Sequence, residues 1–253
     1  MNEAVLQYLR ELSPGTKARI TAHFGPEVEE FSVLVGAMIA TLQRYHAVNP
    51  VYDSGDPKHP AFGLMTKSAN SLVAGFELAL GGYMWEPPVL LRSALEGCAV
   101  AWDIVHNPDR FTTWSSGRKF DATDSISKVK KVIEPVGKLY GFMSNMNVHT
   151  KPLNSSPAML ASESGPRFQL FGLTPPGKEI IRKGEIYFAL LIAHVCLQLT
   201  ELVFHSYCAE LETIEKMPGT DLVKTRVSSR HQRFVDIAMD HFKNQAEGTA
   251  TCF

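Results

Sequence analysis

The stretch that decides the fold is Glu86–Pro108, EPPVLLRSALEGCAVAWDIVHNP. Prolines stand in the first turn, where a helix tolerates them, and at the end of the segment, where they stop a helix. Most of the segment is apolar, and at about 100° per residue its polar side chains share one face: Arg92, Glu96, Asp103 and His106. A polar stripe on an otherwise buried helix must be solvated, paired or used for function.

The rest of the chain repeats this helical pattern. Apolar residues recur at i, i+3, i+4 and i+7, and runs of alternating polarity are nearly absent, which predicts an all-α, multi-helix bundle. We expect one helical domain over residues 1–253. It would comprise peripheral N-terminal helices in 1–50, a core bundle in 61–214 and a C-terminal helix in about 220–247.

Some helix bounds follow from local signals. We expect helices from Ala61 to Tyr83, from Asp109 to about Lys119 and from Lys178 to about Ile214, with Asp124 capping a further helix that begins at Ser125. Residues 150–177 are rich in proline and glycine and are predicted to form one long irregular connection, a candidate lid in which Arg167–Leu173 could be extended.

Composition limits the class of protein. Twenty-five basic and 26 acidic residues leave a net charge of −1, so any contact with nucleic acid must come from a local patch. Four cysteines without CxxC spacing predict reduced, mostly buried thiols. The N-terminus lacks the pattern of a secretory signal, which favours the cytoplasm. Residues 186–209 are long enough to span a membrane, but polar residues within them argue against a membrane location.

A second polar stripe lies on the predicted long helix, where spacings of four, three and four place His194, Gln198, Glu201 and His205 on one face. Both stripes could be the solvent edges of amphipathic helices. Alternatively, they could face each other as a buried polar seam or ligand-binding site. The second alternative predicts a contact between Arg92 or Glu96 and Glu201 or His205, because an unpaired buried charge must find a partner. The spacing does not match a carboxylate-bridged metal bundle, so no metal and no cofactor is expected.

A third feature is the segment Tyr140–Pro152, YGFMSNMNVHTKP. It reads as a helix that ends near His149, where the histidine could simply interact with the last carbonyl groups. Alternatively, His149 acts as an acid or base beside amide and hydroxyl groups, because histidine titrates near neutral pH. Tyr140 and Asn145 join the candidate polar seam on this second interpretation.

Taken together, an R-S-A-L-E helix that ends in N-P and a later L-Y-x-x-x-S-x-x-x-x-H helix resemble the prokaryotic helical domains grouped with the HEPN class. The resemblance covers about Ala61–Leu211. It implies an α-helical bundle, frequent dimerisation and a role in RNA cleavage, toxin–antitoxin pairs or phage defence. Catalytic members carry Arg-x4-6-His, in which the two side chains polarise a phosphate and a 2′-hydroxyl without a metal.

The catalytic motif of that class does not fall on His149, because the required upstream positions hold Phe142, Met143 and Ser144. A match occurs instead at Arg226 and His231, in RVSSRH, although about one such match is expected by chance. The candidate catalytic residues are therefore His149, Arg226 and His231. The alternative explanation of the second pair is a basic face on a C-terminal helix.

Three functions follow as hypotheses. The first is a cytoplasmic, HEPN-like protein of an RNA-linked stress or phage-defence system, which could be a metal-independent endoribonuclease and would pair with itself or a helical partner. The second is a non-catalytic dimerisation or interaction module. The third is a small-ligand-binding bundle with its pocket at the polar seam. No Gly-x-Ser-x-Gly, Walker-type or Gly-x-Gly-x-x-Gly motif supports other chemistry.

Overall fold

The computed structural model describes residues 10–11, 13–83, 86–147, 159–160, 167–168, 174 and 176–208. Helices dominate this part of the chain and confirm the all-α, multi-helix prediction. Their bounds are α1 Ser13–His23, α2 Gly25–Val48, α3 Lys58–Leu80, α4 Glu86–His106, α5 Pro108–Ser115, α6 Ala122–Val129, α7 Pro135–Asn147 and α8 Lys183–Cys208. Residues 1–9 and 12 of the predicted N-terminal region and the predicted helix at 220–247 lie outside the described residues.

Local residues explain where α2 ends and where α3 begins. Helix α2 ends at Val48, before Asn49 and Pro50. Helix α3 begins at Lys58, three residues earlier than the prediction of Ala61. Pro60 fits in this first turn, where its missing N–H is not needed. The carboxylate of Asp56 accepts a hydrogen bond from the Lys58 backbone N–H at 2.9 Å and supports the early start.

Two predictions about the region after α4 are wrong in detail. Helix α5 ends at Ser115 rather than about Lys119, because Gly117 adopts a left-handed φ of 68° that stops the helix. The cap of α6 is Asp121, not Asp124: its extended backbone aims the carboxylate at the Thr123 backbone N–H, 2.8 Å away. Asp124 consequently falls inside the first turn.

Within the predicted irregular connection 150–177, the structure describes a small antiparallel pair, β1 Met159–Leu160 with β2 Arg167–Phe168. Only the first two residues of the predicted extended piece 167–173 are described as a strand. Beyond it, the chain enters α8 through a short 3₁₀ turn, Glu179–Arg182, so the α-helix proper begins at Lys183 rather than Lys178. The predicted end at Ile214 lies outside the described residues.

Close packing of α3 on α4 sets the position of the polar stripe. Gly97 of α4 lies directly against Ser68 of α3, where a Cβ atom would collide with the Ser68 hydroxyl oxygen. Near the other end of α4, Leu91 lies 3.3 Å from where a Cβ would stand on Gly75. Small residues at these crossings let the two backbones approach, and this contact turns the stripe of α4 away from α3.

Helix α8 is an interior helix. Lys183–Phe204 is long and apolar enough to cross a membrane, but 67% of its most apolar window is buried inside the fold, which is compatible with a soluble protein. It contacts α2 through Tyr45 and Phe204, with ring centroids 4.7 Å apart, and α7 through Phe142 and Phe188 at 5.2 Å. The apolar character of this helix is therefore explained by core packing.

The chain divides after Phe204 into two units, residues 1–204 and 205–253. Nearly all described residues belong to the first unit. The prediction of a single domain spans both units and stays a prediction.

Candidate functional site

The polar stripe of α4 faces α6 and α7. Arg92, Glu96 and Asp103 fall within about 40° of one another around the helix axis. Arg92 and Glu96 both bond Tyr140 of α7, and Asp103 bonds Ser125 of α6. The fourth member of the stripe, His106, is exposed and stacks on Trp102 with ring centroids 4.6 Å apart.

Arg92, Glu96 and Tyr140 form a closed triangle of hydrogen bonds, which we call the Arg92 cluster. The Arg92 Nε donates to Glu96 Oε1 at 2.9 Å, and the Tyr140 hydroxyl donates to the same oxygen at 2.8 Å. The Arg92 Nη2 donates to the Tyr140 hydroxyl oxygen at 2.8 Å, and the guanidinium lies 4.8 Å from the centre of the tyrosine ring. The cluster therefore holds the guanidinium in one orientation.

The Arg92 cluster is only partly covered. The side chain of Arg92 is 20% exposed and that of Glu96 is 29% exposed. Ser144, one turn further along α7, is half-buried and donates to the Tyr140 carbonyl oxygen at 2.9 Å. Part of each of these two side chains is therefore in contact with solvent.

Electrostatics favours the neutral phenol and the charged guanidinium in this cluster. Burial and the hydrogen bond to Glu96 raise the pKa of Tyr140, although Arg92 opposes this shift. Burial works against the charge on Arg92, but the hydrogen bond and attraction to Glu96, together with Tyr140, raise the pKa of Arg92. The tyrosine hydroxyl therefore remains a hydrogen-bond donor to Glu96 at neutral pH.

Asp103, one turn before the end of α4, is fully buried and is the centre of a second cluster. Its two carboxylate oxygens accept hydrogen bonds at 2.8 Å from each of four side chains, namely Asn107, Arg110, Ser125 and Lys128. We call these five residues the Asp103 cluster. A buried carboxylate with this many donors is satisfied and binds α5 and α6 to α4.

The donors of the Asp103 cluster also determine its charge. Burial alone would favour the protonated acid, but hydrogen bonds from Lys128, Arg110 and Ser125 outweigh it and lower the pKa of Asp103. Sequence reasoning placed Asp103 on the polar stripe but did not identify Arg110 or Lys128 as its partners. A buried carboxylate signals that a cation must be near, yet the pattern does not say which of many basic residues supplies it.

The polar stripe of α8 lies on another side of the bundle. Cys98 of α4 and Cys196 of α8 are both fully buried. A hydrogen bond with Cys98, together with burial, raises the pKa of Cys196. Cys98 is about 140° around α4 from the polar stripe, and His194, Gln198 and Glu201 are about 140–160° around α8 from Cys196.

The two helices therefore meet through their cysteine faces and not through their polar stripes. Of the α8 stripe, His194 and Gln198 are half-buried and Glu201 is exposed. The partner that the structure gives to Arg92 and Glu96 is Tyr140 of α7 rather than the predicted Glu201. The side chain of His205 lies outside the described part.

Several predicted site residues also lie outside the described part: His149, Arg226, His231 and the side chain of Asn145. Their roles stay predictions. Among the described residues, no group of three or more histidine, cysteine, aspartate or glutamate side chains is placed to share a metal ion.

A third polar cluster, at the start of α8, was not predicted. Arg182 is 1% exposed and donates from Nε to the Thr174 hydroxyl at 2.7 Å. Arg19 of α1 donates to the Thr174 carbonyl oxygen at 2.7 Å and to Glu179 at 3.1 Å. These bonds fasten residue 174, near the end of the predicted connection 150–177, to α1 and to the 3₁₀ turn. Its residues are scattered in sequence, so no local pattern could have revealed it.

In comparisons with protein-family models, curated proteins and solved structures, the chain has no significant match.

Proposed function

We propose that this chain is a cytoplasmic, HEPN-like helical-bundle protein of an RNA-linked stress or phage-defence system, and that RNA meets it at the Arg92 cluster. One observation carries the proposal. The two sequence motifs on which the resemblance rests are far apart in the chain, yet Arg92 and Glu96 from the first lie within 2.8 Å of Tyr140 from the second. Convergence of both motifs at one partly open site favours a shared role.

The chemistry of the site suits a phosphodiester. Arginine binds phosphate through several N–H donors, and an arginine already held by neighbours loses less conformational entropy when it does so. In the sequence, His149 comes nine positions after Tyr140 and two positions after the last residue of α7. On the proposal, this histidine supplies the acid–base group for metal-independent cleavage, with Arg226 and His231 as the second candidate pair.

Incubation of the purified full-length chain with total RNA in the presence of a chelator tests the proposal. We expect cleavage that is lost in His149→Ala or in His231→Ala. The matched control is His106→Ala, because His106 is an exposed histidine outside the Arg92 cluster. If the wild type and both histidine variants cleave equally, neither histidine is the catalyst. If the folded chain neither binds nor cleaves RNA, the proposed function is wrong.

A second candidate function is a non-catalytic interaction module that forms a homodimer or binds a helical partner. The Asp103 cluster favours this interpretation for its half of the stripe, because the Asp103 carboxylate accepts hydrogen bonds from four side chains of the chain itself. Light scattering during size-exclusion chromatography measures the mass of the particle. A concentration-independent monomer without RNA binding would contradict both functions.

A further inference from the structure

The outer edge of the Arg92 cluster offers hydrogen-bond donors and an acceptor side by side. Glu96 Oε1 accepts both bonds within the cluster, one from Arg92 and one from Tyr140, which leaves Oε2 to accept from a ligand. Of the five N–H bonds of a guanidinium, Arg92 uses one on Nε and one on Nη2 in the bonds given above. Both side chains are partly exposed, at 20% and 29%.

This arrangement selects among ligand chemistries. An isolated phosphate offers acceptors alone and would be repelled by the Glu96 carboxylate. A guanine edge presents two neighbouring N–H donors that fit a carboxylate with both oxygens open, but only Oε2 of Glu96 is open. A ligand with one hydroxyl donor beside an anionic acceptor satisfies both residues. A ribonucleotide has these groups as its 2′-hydroxyl and 3′-phosphate, and DNA lacks the hydroxyl.

We infer that the Arg92–Glu96 edge binds the phosphate and the adjacent 2′-hydroxyl of single-stranded RNA, and thereby selects RNA over DNA. The inference rests on the proposed function. Arg92 donates to the phosphate, and Glu96 Oε2 accepts from the hydroxyl. Tyr140 is a positioning residue, because it holds Glu96 Oε1 and Arg92 Nη2 and so directs the remaining groups outward.

Binding of three fluorescently labelled dodecamers tests this inference: mixed-sequence single-stranded RNA, DNA of the same sequence and the corresponding 2′-O-methyl RNA. We expect the wild-type chain to bind RNA about tenfold more tightly than either analogue, as for the loss of one hydrogen bond to a charged group. The 2′-O-methyl strand keeps the oxygen and removes only the donor, so it isolates the role of Glu96.

The variants separate the two contacts. Glu96→Gln uses its amide oxygen for Arg92 and Tyr140 and turns its NH₂ group outward, so the preference over 2′-O-methyl RNA should disappear. Arg92→Gln should weaken RNA and DNA alike. Tyr140→Phe should reduce the RNA-to-DNA preference, a ratio that a purely structural role would not change. Arg118→Gln, at an exposed arginine beyond α5, is the control and should leave the preference unchanged.

The outcomes also separate this inference from the proposed function. Equal affinity of the wild type for all three strands, with binding still weakened in Arg92→Gln, would overturn the selectivity and leave the RNA-linked function standing. A Glu96→Gln variant that keeps the full preference would overturn the role of Glu96. No binding of any strand by the folded chain would overturn both. Thermal unfolding followed by circular dichroism shows which variants are folded.

Discussion

Lys128 of α6 donates a hydrogen bond from Nζ to Oδ1 of Asp103 on α4 at 2.8 Å, and Asp103 is fully buried while the lysine side chain is 36% exposed. Arg110 of α5 donates to the other carboxylate oxygen at 2.8 Å. One buried negative charge thus connects three helices, with both cations entering from the surface. Removal of the charge should therefore affect the packing of α5 and α6 more than a surface substitution would.

Asp103→Asn should destabilise the chain by about 2–4 kcal/mol, because an amide cannot accept charge-assisted bonds from both cations and leaves them poorly paired. Urea unfolding measures the free energy of unfolding. Asp124→Asn is the matched control: Asp124 also contacts Arg110, at 3.5 Å, but its side chain is 64% exposed. An equal effect of the two substitutions would contradict a special role for burial at Asp103.

Acid should selectively remove the stabilisation provided by Asp103. Burial raises the pKa of Asp103, but its hydrogen bonds outweigh burial, so the folded-state pKa is lower than the ordinary value of 3.8. The contribution is therefore fully present above the unfolded-state pKa and is lost as pH falls through the folded-state pKa. The difference in unfolding free energy between wild type and Asp103→Asn should stay constant from neutral pH to about pH 5 and shrink below it. A difference that grows on acidification would contradict this sign.

Gly97→Ala should destabilise the chain by about 1–3 kcal/mol, because the added methyl group collides with the Ser68 hydroxyl and separates α3 from α4. Gly141→Ala is the control on α7, since a Cβ there meets nothing within 4 Å. That substitution should be neutral or stabilising through the higher helix propensity of alanine.

Ser68→Ala should partly rescue Gly97→Ala, because it removes the oxygen atom that lies in the way. A double-mutant cycle of thermal or urea unfolding gives the coupling between the two positions. Strict additivity of the two substitutions would mean that the collision is relieved elsewhere, for instance by a shift of the whole helix.

Tyr140→Phe should lower the free energy of unfolding by about 1–2 kcal/mol, because it removes the hydroxyl that donates to Glu96 and accepts from Arg92. Tyr52→Phe is the control, since Tyr52 is 66% exposed. If the two substitutions have the same small effect, the Tyr140 hydroxyl does not contribute measurably to stability.

Much of the helical framework could be predicted from local sequence. Helices α2 and α4 each end just before an Asn-Pro pair, and α3 ends at Leu80, just before Gly81 and Gly82 and three residues before the predicted Tyr83. Errors arose where two local signals competed. Asp121 and Asp124 are both suitable caps, and only the backbone conformation, extended at Asp121, decides between them.

By itself, the sequence determined that the chain is helical, that α4 carries its polar residues on one face and that α8 is apolar enough to be buried, because helical periodicity depends on neighbours within two turns. Only the tertiary structure decided which helices that face meets. Small residues at Gly75 and Gly97 seat α4 against α3, the cysteine faces join α4 to α8, and the stripe is left facing α6 and α7. Arg92 and Glu96 therefore pair with Tyr140, because the orientation of a helix about its axis depends on contacts that are distant in sequence.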